Sequence, residues 1–178
     1  MATAILKNGQ QVNVMKAVEA DAPALIAYMN QICRESDNLT FGPGDLTITE
    51  KEEVHFIRSA NSQANALFLV AVVDQRIVGN LNFTGGNRPR TAHAGEFGMS
   101  VLREFWGHGL GTILLEQLIS WAKGTGTIRK INLRVRTDNM SAIRLYHQAG
   151  FQVEGIISRE FKINDVFHDL MCMGLKLD

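Results

Sequence analysis

The stretch Trp106-Gly107-His108-Gly109-Leu110-Gly111-Thr112 carries the clearest chemical signal in the chain. Three glycines at alternate positions let the backbone turn tightly, so that successive N–H groups face one concavity. A strong helical pattern follows, and a helix start adds unpaired N–H groups and a positive dipole end. Such a turn suits a phosphate group. It is not a nucleotide P-loop, because no Lys follows the glycines. It fits a dinucleotide fingerprint poorly. The third glycine of that spacing is replaced by Thr112, and the next strand, with Ile131, Asn132 and Leu133, lacks the acidic residue that would hold a ribose. A glycine-rich helix entry with no ligand stays open on the turn alone.

Metal and disulfide chemistry have little support. The five histidines (His55, His93, His108, His147 and His168) show no i, i+4 pairing on a helix. Cys33 and Cys172 lie far apart, outside any CxxC arrangement, so two free thiols and no metal are expected. The seven methionines read as core.

The elements that must hold the glycine turn follow from periodicity and punctuation. Val12 to Val18 reads as a strand. Asp21 and Pro23 open a helix carrying Leu25, Ile26, Met29 and Ile32. Ser36 to Thr47 is rich in turn formers. Thr49 caps a second helix with Val54, Phe56 and Ile57. The unbroken apolar run Leu67 to Val73 predicts a central strand covered on both faces. Asp74-Gln75 turns it into a partner over Arg76 to Phe83, and Glu96 to Val101 is the next strand. The helix after the glycine turn, about Thr112 to Lys123, has Leu114, Leu115, Leu118, Ile119 and Ala122 as its apolar stripe. Ile131 to Val135 alternates as a strand. Asp138 or Asn139 caps a short helix that ends at Gly150, and strands over Phe151–Ile157 and Val166–Leu175 close the chain. The order β-α-α-β-β-β-α-β-α-β-β predicts one α/β (α+β) domain with a mixed sheet.

With 178 residues, one domain is expected, with enough chain to bury a core unaided. Eighteen basic residues balance eighteen acidic ones, which removes the usual reason to expect nucleic-acid or anionic-membrane binding. The N-terminus has no apolar segment of signal-peptide length, and no stretch is long enough to span a bilayer, so a cytoplasmic protein is the default.

A second stretch sharpens the reading. Trp106 to Gly111 resembles motif A of the GCN5-related N-acetyltransferase (GNAT) superfamily, [Q/R]-x-x-G-x-[G/A], with Gly109 and Gly111 in place and Trp106 departing at the first position. Asn139 to Phe151, NMSAIRLYHQAGF, is similar to the family's N-x-x-A-x-x-L-Y-x-x-x-G-F signature at Asn139, Ala142, Leu145, Tyr146, Gly150 and Phe151. The resemblance implies one N-acetyltransferase domain over residues 1–178. Its sheet would be mostly antiparallel, with helices on both faces and two central strands splayed apart.

The implied activity is transfer of an acetyl group from acetyl-CoA to a primary amine, on a small molecule, a protein N-terminus or a lysine. Attack would be direct, in a ternary complex. The same fold could instead serve as a non-catalytic acyl-CoA-binding module. By resemblance, Gly107, His108, Gly109, Leu110, Gly111 and Thr112 would hold the pyrophosphate. Main-chain groups of Met99 and Val101 would meet the pantetheine, and Asn139 and Ala142 would contact the cofactor. Tyr146 would protonate the departing thiolate. Glu96, beside the pantetheine and expected to be buried there, is the candidate base. Arg134 and Arg136, on the strand near the cleft, read as solvated strand charges, with attraction of an anionic substrate or the 3′-phosphate as the alternative. Acceptor choice would fall to Ser36–Thr47, with Asp37, Phe41 and Asp45, and to Ser158–His168, with Arg159, Glu160, Phe161 and Asp165. A homodimer is plausible.

Overall fold

The computed structural model describes residues 2–177. The strands are β1 (Ala2–Ile5), β2 (Gln11–Lys16), β3 (Ala66–Val73), β4 (Arg76–Gly85), β5 (Ala94–Val101), β6 (Lys130–Arg136), β7 (Gln152–Ile163) and β8 (Val166–Lys176). The helices are α1 (Ala22–Glu35), α2 (Glu50–Ser62), α3 (Leu110–Gly124) and α4 (Met140–Gln148). All eight strands form one sheet in the order β1-β2-β3-β4-β5-β6-β8-β7. Every neighbouring pair is antiparallel except β5–β6.

The apolar run at Leu67 becomes β3, deep in the sheet and buried on both faces. Side chains that alternate along β4 sort the helices into two layers. A methyl group added at Gly79 would meet Leu110 and Leu114 of α3. Its neighbour Asn80 points the other way, donating to the Met29 sulfur of α1 at 3.8 Å. Phe56 of α2 meets Phe68 edge-on, 5.4 Å between centroids, and Phe68 pairs with Asn82 on that same face. So α1 and α2 cover one face, while α3 and α4 cover the other.

The structure corrects several boundaries. β1 was not anticipated; its four residues alternate half-buried and exposed, too few to register as a strand. β2 ends at Lys16, and Val18 is exposed as the residue before a 3-10 turn (Glu19–Asp21). The Asp21 carboxylate accepts from Val18 N–H at 2.8 Å and so caps that turn rather than α1. α3 begins at Leu110, two residues early. β7 runs on to Ile163, where the reading stopped at Ile157. Two expected core side chains are exposed, Phe56 and Met140. Cys33 and Cys172 are both free thiols, one buried and one half-buried. Among the described residues no helix is long and apolar enough to cross a membrane.

Candidate functional site

The site is built around a fork in the sheet. β5 and β6 pair over only three positions, Ala94–Lys130, Gly95–Ile131 and Glu96–Asn132. Beyond Glu96 the strands part, β5 held by β4 through seven pairs and β6 by β8 through seven. The ladder shows which groups this leaves unpaired. Leu102 N–H donates to the Val78 carbonyl at 2.9 Å, and β4–β5 register places Gly79 opposite Val101. Hydrogen-bonded pairs alternate in an antiparallel ladder. Glu96, Gly98 and Ser100 therefore turn their main-chain groups toward β4, while Phe97, Met99 and Val101 turn theirs into the fork. Met99 and Val101 were anticipated. Phe97 was missed, although the same alternation pointed to it.

One of these groups is already engaged. The Trp106 indole N–H donates to the Val101 carbonyl at 2.6 Å, leaving the Val101 amide toward the fork. The Arg103 guanidinium lies over the exposed indole, 5.5 Å from its centroid. The departure from the family pattern at Trp106 thus has a defined structural role.

At the open end of the fork the chain enters α3. Gly107 and Gly109 have φ of 76° and 91°, a left-handed region that side chains avoid. Among the described residues no side chain caps α3. Ile113 N–H is the first to find a helical acceptor, the Gly109 carbonyl at 3.1 Å. Among the described residues, the amides from Gly107 to Thr112 have no such partner. Gly111 serves a close approach, since a methyl group there would lie 3.1 Å from Leu145 of α4. The His108 carbonyl accepts from Lys7 N–H at 3.1 Å, tying this cradle to the β1–β2 turn. Leu110 is a buried core side chain and offers only main chain, while Thr112 is exposed.

α4 brings Tyr146 against the fork. Its ring is buried and packs edge-on to Phe97 at 5.8 Å and against Phe151 at 5.9 Å. Among the described residues its hydroxyl has no hydrogen-bond partner, yet it is not among the fully enclosed orphan atoms, so it reaches an opening. Burial pushes the phenol up to about 12. Asn139 caps α4, its Oδ1 accepting from Ala142 N–H at 3.2 Å. Both residues sit at the helix start, with the Ala142 amide already occupied.

The opposite face of the fork, toward α1, is polar. Glu96 is exposed there, correcting the expectation of burial. Arg134 reaches across to it, Nε to Oε1 at 3.0 Å, and Glu160 approaches the Arg134 Nη1 at 3.5 Å. Glu96 raises the Arg134 guanidinium above its usual range by hydrogen bond and charge. Arg136 is largely buried, held by both Asp138 oxygens at 3.0 and 2.6 Å and donating to the Asp37 carbonyl at 2.9 Å. Neither arginine is a merely solvated charge. Tyr28 on α1 meets Ser100 at 2.7 Å, and Ser100 donates to Asn80 at 2.8 Å, pinning the parted stretch of β5 from this side. Nothing in the sequence joins residues 72 apart. The Asn132 Oδ1, beside Glu96 at the point of the fork, is enclosed and unpaired.

An unpaired amide cradle, a parted strand pair and a tyrosine at the fork coincide in one site. Residues 30–151 match the acetyltransferase (GNAT) family. The chain belongs to the GNAT acetyltransferase family. An L-amino acid N-acetyltransferase, AaaT, of Escherichia coli (strain K12) is 33% identical over 87 residues, 49% of this chain and 54% of that protein, so the chain spans about half the length of this relative. A GNAT-family acetyltransferase from Streptococcus pneumoniae superimposes with a TM-score of 0.90 at 30% identity, over 94% of this chain and 99% of that one. A GNAT phosphinothricin acetyltransferase from Sinorhizobium meliloti, solved with acetyl-CoA, shares the fold with a TM-score of 0.81 at 18% identity, over 93% and 88%. The GNAT fold thus extends over 94% of the chain.

Proposed function

We propose that the chain acts as one N-acetyltransferase domain over residues 1–178, using acetyl-CoA and a primary amine carried by a small molecule or a peptide. The observation that carries this reading is the fork, with main-chain groups of Phe97, Met99 and Val101 facing the gap, the Gly107–Thr112 amides at its open end and the Tyr146 ring packed on Phe97 where the strands part. These groups fit acetyl-CoA. The amides take the pyrophosphate, and the edge of β5 takes the pantetheine amides as a strand would. Acetyl-CoA, when bound, supplies an activated acetyl thioester. Backbone N–H at the fork polarises the acetyl carbonyl. Glu96, directly or through water, accepts the proton of the incoming ammonium.

Tyr146 donates a hydrogen bond to the departing sulfur. A phenol near 12 facing a thiol whose ordinary value is about 8.5 keeps its proton at equilibrium. Its contribution is therefore to stabilise charge as the C–S bond breaks. We further propose a cytoplasmic protein that works without nucleic acid, membrane or metal, and for which a homodimer is one possible assembly; light scattering checks the dimer.

The first test is a thermal-shift titration with acetyl-CoA, with NAD and ATP as controls. Ligand at 100 times its dissociation constant stabilises by about 2.7 kcal/mol. Stabilisation by acetyl-CoA alone, followed by amine-dependent thiol release, supports the reading. Stabilisation with no thiol release for any amine favours a non-catalytic acyl-CoA module, and no stabilisation removes the reading.

A further inference from the structure

We infer that the acceptor is a free α-amino acid, its ammonium bound by Glu96 and its carboxylate by Arg134. The inference rests on the proposed N-acetyltransferase reading and names its substrate class. Glu96 and Arg134 sit on neighbouring strands at the fork, on the face toward α1. Their pairing uses only the Nε edge of the guanidinium. Nη1 has a single long contact to Glu160 at 3.5 Å, and among the described residues Nη2 donates to nothing. The outer edge of the arginine is thus open, and that edge takes a carboxylate bidentately.

Space is left for the substrate beside the pair. Gly98 follows Glu96 on the same face of β5, and a methyl group there would meet only the Asn82 side chain, at 3.4 Å. The acceptor carbon that bears both groups fits over this gap, beside the main-chain groups of the fork.

Arg134 separates the acceptor classes. Among the described residues its pairing engages Glu96 Oε1 alone, so an ammonium reaches Oε2 without displacing the guanidinium. A plain amine gains that one ion pair. An α-amino acid gains a second, because its carboxylate meets the open edge of Arg134. In the chemical step, the amine nitrogen bonds to the acetyl carbon, the C–S bond breaks and coenzyme A leaves as the thiol. The ammonium gives up two protons in all: one passes to Glu96 or water, and the other ends on the departing sulfur.

The experiment compares kcat/KM for L-α-amino acids, the amides of the same amino acids, spermidine and a short peptide with a free N-terminus. Acids are expected to exceed their amides by roughly 10- to 100-fold. In Arg134→Gln that ratio collapses toward one, and Arg134→Lys restores part of it. The same factor appears in calorimetric binding of the best acid to the coenzyme A complex, a readout that a merely folded protein does not reproduce. Glu160 competes with the substrate carboxylate for Arg134, so Glu160→Gln raises the acid-to-amide ratio by roughly 2- to 5-fold. A lower acid-to-amide ratio in Glu160→Gln, or amides, spermidine or peptide used as well as acids by the wild type, overturns the inference while leaving the acetyltransferase reading intact. Absence of thiol release with every acceptor overturns both.

Discussion

Single side chains at the fork have separable tasks. Tyr146 is buried among Phe97 and Phe151 with a hydroxyl that meets no acceptor among the described residues, an arrangement that wastes a polar group unless a ligand uses it. Tyr146→Phe is expected to lower kcat by about 100-fold while preserving the acetyl-CoA thermal shift. Because burial raises the phenol to about 12, its proton is present throughout the working range. No alkaline loss of kcat below about pH 10 belongs to Tyr146, and a kcat–pH profile to that limit checks this. Trp106 covers the Val101 carbonyl with its indole, so cofactor entering the fork must contact or displace it. Acetyl-CoA is expected to change tryptophan emission in the wild type and in Trp121→Phe, but not in Trp106→Phe.

Elements matter through their ends. α3 starts two residues early because Gly107 and Gly109 take left-handed turns that place Leu110 in the core and aim the first amides outward. Gly109→Ala forces a side chain into φ of 91°, at a cost of about 1–2 kcal/mol. The acetyl-CoA shift should fall with it, since the cradle geometry is what changes. α4 depends on its cap. Asn139→Ala is expected to cost about 1 kcal/mol, and Asn139→Ser, which also caps, recovers most of it. If Asn139 also touches the cofactor, only Ser restores stability without restoring acetyl-CoA affinity. Melting curves with and without ligand separate the two roles.

At the scale of the whole molecule, the sheet gathers residues that the chain keeps far apart. Two buried phenols, Tyr28 and Tyr146, hold their protons above the ordinary value of 10 because burial disfavours phenolate. Above pH 10 the folded state therefore binds more protons than the unfolded one. Their contribution to stability is complete below pH 10 and declines as pH rises toward 12. Urea melts at pH 9, 10.5 and 11.5 should show a falling midpoint, and Tyr146→Phe should shed part of that fall.

What the sequence determined by itself is local. Backbone turns, caps and apolar periodicities are decided within a few residues, so the glycine cradle, the α3 stripe, the β3 core strand and the Asn139 cap were legible there, and two short motifs gave the family. The splay of β5 from β6 came from that resemblance, and the register of both flanking strands was needed to show which main-chain groups face the gap. Glu96 read as a buried base because its strand borders the cofactor site; whether a strand residue is buried depends on what covers its face, and here Arg134 meets it in the open. The Tyr28–Ser100 contact, the Trp106 cap on Val101 and the open edge of Arg134 exist only once the sheet is assembled. Pairings between distant side chains follow from strand order and register, which no window of neighbouring residues encodes.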